Sequence, residues 1–181
     1  MIDAFIITLR EGVEAALIVG ITLAYLAKIS RTDLRRAVYA ALAAAFLGSI
    51  GAALIVSRLD LNQDILEGWV MLAAAFFVVT MVVFMMKTAR SMKGKIEGKV
   101  GFLADRGSQL GLFLFVFLMV LREGVETVLI LSAVSLNSSA LMNFLGTLLG
   151  IALAIVFGVM FVKGSVRVNL RKFFRITSVI L

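Results

Sequence analysis

Residues 10–14 read Arg10-Glu11-Gly12-Val13-Glu14, and residues 122–126 read Arg122-Glu123-Gly124-Val125-Glu126. Each segment interrupts a long apolar stretch, the first running from about residue 3 to 27 and the second from about 110 to 134. If the first stretch is a helix, it is about 37 Å long and its charged segment lies about 10–17 Å from its outer end, inside the hydrocarbon of a bilayer. A charged side chain at that depth costs about 2.5–3.5 kcal/mol on insertion scales, and each segment carries three of them. Such clusters must face protein, water or an ion.

The rest of the chain supplies the bilayer context. Of the 181 residues, 62% are hydrophobic, and the mean hydropathy is +1.09, well above that of soluble domains. Five stretches are long enough to cross a membrane: about 3–27, 36–57, 65–87, 110–134 and 140–163. A sixth begins near residue 172 and stops within an apolar run, which predicts a truncated last span. Backbone polar groups cannot face lipid unpaired, so the expected fold is all-α: an integral membrane helical bundle forming a single transmembrane domain over 1–181. The first stretch has no basic leader and carries Arg10, Glu11 and Glu14, so it reads as a permanent helix and not as a cleavable signal.

The net charge of +7 is concentrated in connections. Lys28, Arg31, Arg35 and Arg36 follow the first span; Lys87, Arg90, Lys93, Lys95, Lys99 and Arg106 follow the third; Lys163, Arg167, Arg171 and Lys172 follow the fifth. The alternate connections lack such clusters, which places the amino terminus outside, the basic loops in the cytoplasm and the chain in the plasma membrane. This distribution argues against nucleic acid and for membrane lipid as the partner of the basic residues. The recurrence of the motif at an offset of 112 residues, with a weaker echo of Arg58-Leu-Asp-Leu in Arg167-Val-Asn-Leu, divides the chain into a three-span repeat at 1–90 and a second, incomplete one at 108–181, truncated in its third span. Three is odd, so the copies lie in opposite senses. The expected architecture is an inverted 3+3 repeat with its site at the repeat interface.

With no Cys and no His, thiolate, imidazole and most nucleophile–base chemistry are excluded, and any metal must be held by oxygen. Positions three or four apart share a helix face, which pairs Glu11 with Glu14, Arg10 with Glu14, Glu123 with Glu126 and Arg122 with Glu126. Gly12 and Gly124 remove bulk at the same level, so the two motif helices are expected to cross closely and gather four glutamates. Four carboxylates and two arginines sum to −2, repulsive alone and favourable around a multivalent cation. Oxygen ligands select hard ions: Fe³⁺, Fe²⁺, Mn²⁺, Mg²⁺ or Ca²⁺. Proton uptake on metal release is a further expectation. A plain i, i+4 salt bridge gluing helices together is the bland alternative, but each motif has one carboxylate more than an ion pair requires.

The doubled Arg-Glu-Gly-Val-Glu resembles the Arg-Glu-Gly-x-Glu signature of the oxidase-dependent iron permease family. Glu67-Gly68, Thr80-Met81-Val82, Phe84-Met85-Met86 and Phe173-Phe174-Arg175-Ile176-Thr177 are also similar to that family. The resemblance implies a seven-helix permease carrying iron, Fe³⁺ or Fe²⁺, as transported substrate with no resident cofactor. It also implies a multicopper ferroxidase partner in fungi, or an extracytoplasmic iron-handling partner in bacteria. It carries iron binding over to Glu11, Glu14, Glu123 and Glu126, with Arg10, Arg122, Gly12 and Gly124 supporting the site. Manganese or magnesium transport, an intramembrane enzyme and a non-transporting structural subunit are the competing readings.

Of the remaining residues, Asp3, Asp60, Asp64 and Glu67 sit near the expected outer face, and Glu67 is a candidate for the entry path. The nine methionines are scattered and read as packing, although Met119 lies one turn from Glu123. Gly146 with Gly150, and Gly48 with Gly51 and Ala52, read as close-packing faces. The stretch Lys93–Lys99 reads as a flexible cytoplasmic connection lying on anionic headgroups.

Overall fold

The computed structural model describes residues 2–58, 92–135 and 140–162, with isolated helical positions at 72, 76, 79 and 80. Its elements are α1 (Ile2–Lys28), a 3-10 turn (Thr32–Leu34), α2 (Arg35–Arg58), α3 (Met92–Asp105), α4 (Gln109–Ser135) and α5 (Ala140–Val162). No strand occurs among the described residues. Apart from those four positions, the expected third span lies outside them, as do the sixth span, Glu67 on the entry path, Asp60, Asp64 and the Arg167 echo.

Beside an apolar core, charged residues are buried and large apolar ones exposed. Arg10, Glu11, Glu14, Glu123 and Glu126 are buried, while Phe46, Leu47, Leu54 and Ile55 of α2 and Leu141, Phe144, Leu149 and Ile155 of α5 are exposed. Buried charges beneath an extensively apolar surface suit surroundings of hydrocarbon. α2 and α5 are also apolar and long enough to cross a membrane by length and composition. α1 and α4 are longer still, 27 residues each, and it is their motif charges that interrupt the apolar run. Hydroxyls in these helices satisfy themselves locally, as bilayer conditions require: Thr22, Thr127 and Ser132 donate to the carbonyls of Ile18, Glu123 and Val128 at 2.7, 2.8 and 2.7 Å, one turn back.

α1 is the central element, packing chiefly on α5 and crossing α4, while α2 packs on α4. The register of each pair comes from its small residues. Gly150 lies under Phe5, Thr8 and Leu9, Gly12 opposes Ala154, and Gly158 opposes Ala16, so α1 and α5 run in the same direction. Gly48 meets Leu121, and Gly124 meets Ser49, which fixes where α2 and α4 touch. Residues 29–34, including the 3-10 turn, join α1 to α2.

This arrangement corrects the expected use of the motif glycines. A methyl at Gly12 would lie 2.6 Å from Ala154 Cβ, and one at Gly124 would strike Ser49 Oγ and lie 2.8 Å from its Cβ. Each glycine therefore admits a helix of the other half, α5 at Gly12 and α2 at Gly124, and not the opposite motif helix. The reason is that Gly150, Ala154 and Gly158 form a small-residue seam at i, i+4 and i+8 that fits Thr8, Gly12 and Ala16 at the same spacing. Gly51, expected to be part of a packing face, has nothing within 4 Å of a would-be Cβ.

The segment Lys93–Lys99, expected to be a flexible connection, is helical and belongs to α3. Ile96, Val100 and Ala104, one turn apart, are buried where α3 packs on α1, and Tyr25, near the carboxy-terminal end of α1, lies over Gly101, its hydroxyl 2.8 Å from where a Cβ would stand. The lysines on the other side obscured this stripe, and Gly94, Gly98 and Gly101 lowered the helix propensity. Gly107, with φ +63°, ends α3: Ser108 N–H donates to Leu103 O at 3.0 Å and Gly107 N–H to Ala104 O at 2.9 Å, a Schellman closure. Ser108 then caps α4, its Oγ accepting from Gly111 N–H at 3.1 Å. Arg31 Nη1 donates to Ala104 O at 2.7 Å, tying the α1–α2 turn to the end of α3.

Candidate metal centre

The motif copies meet where α1 crosses α4. One carboxylate oxygen each from Glu11, Glu123 and Glu126 lie within 4.8 Å of one another, and all three residues are buried. Oxygens that share a hard cation at about 2.0–2.6 Å stand no more than about 4–5 Å apart, so these three can reach one ion with small side-chain adjustments. Glu11 Oε2 and Glu123 Oε2 are buried without a hydrogen-bond partner. A carboxylate sealed from water without a donor is strongly disfavoured alone and suited to a cation.

Glu14, expected as the fourth member, is buried but stands outside that trio. It pairs with Arg10, whose Nε is 3.8 Å from Glu14 Oε1, and that oxygen has no hydrogen-bond partner. The corresponding pair in the second copy is much tighter: Arg122 Nε donates to Glu126 Oε1 at 2.7 Å. Their surroundings differ too. The Arg10 side chain is 2% exposed and that of Arg122 is 47% exposed. Nε and Nη2 of Arg10 are buried without a hydrogen-bond partner. Sequence reasoning found the charged residues but missed Ala154 and Ser49, which set how closely α5 and α2 approach the motifs. The signal for Ala154 was available in the Gly150-x-x-x-Ala154-x-x-x-Gly158 spacing; nothing marked Ser49.

The profile of the iron permease FTR1 family matches residues 1–181. This chain belongs to the iron permease FTR1 family. A protein of Escherichia coli O6:H1 (strain CFT073), named ferrous iron permease EfeU, is 32% identical over 188 residues, covering 100% of this chain and 68% of its own length. The EfeU of Yersinia pestis is 30% identical over 188 residues, with 100% and 67% covered. An uncharacterized protein of Archaeoglobus fulgidus is 33% identical over 186 residues, with 100% and 65% covered. No solved structure matches the chain. The FTR1 family is one of membrane transporters of iron, so the chain is a permease and not an enzyme.

Proposed function

We propose that this permease carries ferrous iron into the cytoplasm through a buried glutamate site built by α1 and α4. The observation that carries the reading is the convergence of Glu11, Glu123 and Glu126, drawn from both motif copies, to within 4.8 Å. The name of the E. coli and Yersinia relatives, ferrous iron permease, supports Fe²⁺ as the cargo, and an all-oxygen site is compatible with that ion. Arg10 and Arg122 hold the carboxylates in place and reduce their mutual repulsion, and Gly12 and Gly124 let α5 and α2 close around them.

An inverted repeat is the architecture that best accounts for the packing. Exchanging α1 with α4 and α2 with α5 turns the α1–α5 pair into the α4–α2 pair, and both of these pairs close at a motif glycine. Opposite senses for α1 and α4 follow from the same exchange, as does a site on the relating axis. In this reading the amino terminus is outside, the basic connections are cytoplasmic, and a ferroxidase or other extracytoplasmic iron-handling partner supplies the cargo.

The test is uptake of radioactive Fe²⁺ into cells expressing the full-length protein with Glu11, Glu123 or Glu126 replaced one at a time by Gln. Removing a cation ligand from a buried site is expected to lower uptake by about two orders of magnitude. Uptake at the parent rate in all three variants would sink the proposal. Excess Mn²⁺ or Mg²⁺ in the same assay measures selectivity; iron uptake should persist.

A further inference from the structure

The two motif copies are equivalent in sequence but not in geometry, and the difference has a definite pattern. Repeat exchange maps Glu11 onto Glu123 and Glu14 onto Glu126. It therefore maps the trio Glu11, Glu123, Glu126 onto Glu123, Glu11, Glu14. The pair Glu11 and Glu123 is common to both sets, while Glu126 and Glu14 replace each other.

We infer that the permease has two alternating cation stations that share Glu11 and Glu123, one completed by Glu126 as in this conformation, the other completed by Glu14 when the two repeats exchange conformations. This rests on the glutamate site and inverted repeat proposed above. The Glu126 station is assembled, with a close ion pair to Arg122 at 2.7 Å and a side-chain exposure at Arg122 of 47%. The Glu14 half is sealed and loose, with its ion pair at 3.8 Å and Arg10 only 2% exposed. Its polar atoms are left waiting: Glu14 Oε1 and Arg10 Nε and Nη2 are buried without a hydrogen-bond partner. Buried donors and an acceptor so close together are disfavoured as they stand. A small rearrangement that brings Arg10 onto Glu14 satisfies them and reproduces the geometry of the other copy.

The direction of transfer follows from the opposite senses that the proposed inverted repeat gives α1 and α4. Glu14 lies three residues beyond Glu11 along the inward-running α1, and Glu126 three residues beyond Glu123 along the outward-running α4. Each is thus displaced about 4.5 Å along its helix from the shared pair, Glu126 toward the outside and Glu14 toward the cytoplasm. A cation held first with Glu126 and then with Glu14 moves inward while two of its carboxylates never let go. No bond is made or broken beyond the coordination itself.

Equilibrium binding and transport separate the shared from the alternating residues. Fe²⁺ binding would be measured anaerobically by calorimetry on the full-length protein in lipid nanodiscs, and uptake in proteoliposomes. Glu11→Gln and Glu123→Gln remove a ligand from both stations and should weaken binding about tenfold or more. Glu14→Gln and Glu126→Gln each leave one station whole, so binding should stay within about threefold of the parent while uptake is lost. Should either variant elute as aggregate, Glu14→Asp or Glu126→Asp takes its place, with binding expected to be retained and uptake lowered. Equal loss of binding in all four Gln variants would overturn the two-station scheme and leave a single four-glutamate site standing. Unchanged binding in all four would overturn the glutamate site itself.

Discussion

Arg10 and Arg122 show how the same residue in the same motif can sit in different surroundings. Arg10 is enclosed by protein, with its nearest carboxylate 3.8 Å away, so its charge is compensated only by being among glutamates. Removing it leaves Glu14 as a buried carboxylate without a counter-charge, a change that costs about 3–5 kcal/mol in measured buried pairs. Arg10→Leu is therefore expected to lower the stability of the purified protein by about that amount, read as an earlier midpoint in denaturant or heat. Arg10→Leu combined with Glu14→Leu should recover most of the loss, because the stranded charge goes with its partner. Arg122 is half open to its surroundings, but its partner Glu126 is only 9% exposed, so Arg122→Leu also strands a buried carboxylate and should destabilise the fold by a similar amount, about 3–5 kcal/mol. Unchanged stability in Arg122→Leu would mean that Glu126 does not need its guanidinium partner.

At the scale of elements, close approach of α1 and α5 depends on the absence of side chains along one seam. Gly12→Ala puts a methyl 2.6 Å from Ala154 Cβ, and neither group is a flexible chain end that can swing aside. Overpacking of this kind costs about 1–3 kcal/mol, and because Glu11 and Glu14 flank Gly12, uptake should fall with stability. Ala154→Gly in the same protein should restore both; failure of that rescue would mean that Gly12 matters for some other reason than the α5 contact. The turn after α1 offers an opposite test. Ser30 has φ 59°, a conformation that costs a non-glycine residue about 1 kcal/mol. Ser30→Gly is expected to raise stability by about that much, visible as a higher melting temperature. What the sequence revealed at this scale depended on how local the cause was. The spans were legible because lipid demands long apolar runs, and the charged motifs because nothing else explains charge at that depth. The facing of Gly12 and Gly124 was not, since a helix has several neighbours and a missing side chain does not say which of them approaches. α3 was hidden for a related reason: its buried stripe is only Ile96, Val100 and Ala104, and its glycines and lysines resemble a loop.

At the scale of the whole molecule, orientation is the property on which inward transport depends, and it was read entirely from Lys and Arg in the connections. The α1–α5 register makes those two helices parallel, as spans separated by an even number of crossings must be. It does not say which side is the cytoplasm; only the charge asymmetry does, through the bias of basic loops toward that face. The chain contains no cysteine, so a single introduced thiol reports its side of the membrane without background. Lys95→Cys, exposed on α3, should react with a membrane-impermeant maleimide only in inside-out vesicles, and Ile2→Cys, 65% exposed, only in right-side-out ones. Labelling of both from the same side would contradict opposite placement of α3 and the start of α1. Labelling in the reversed sense would keep the helix packing but invert the stations, making Glu14 the outer one and directing the same machinery toward export.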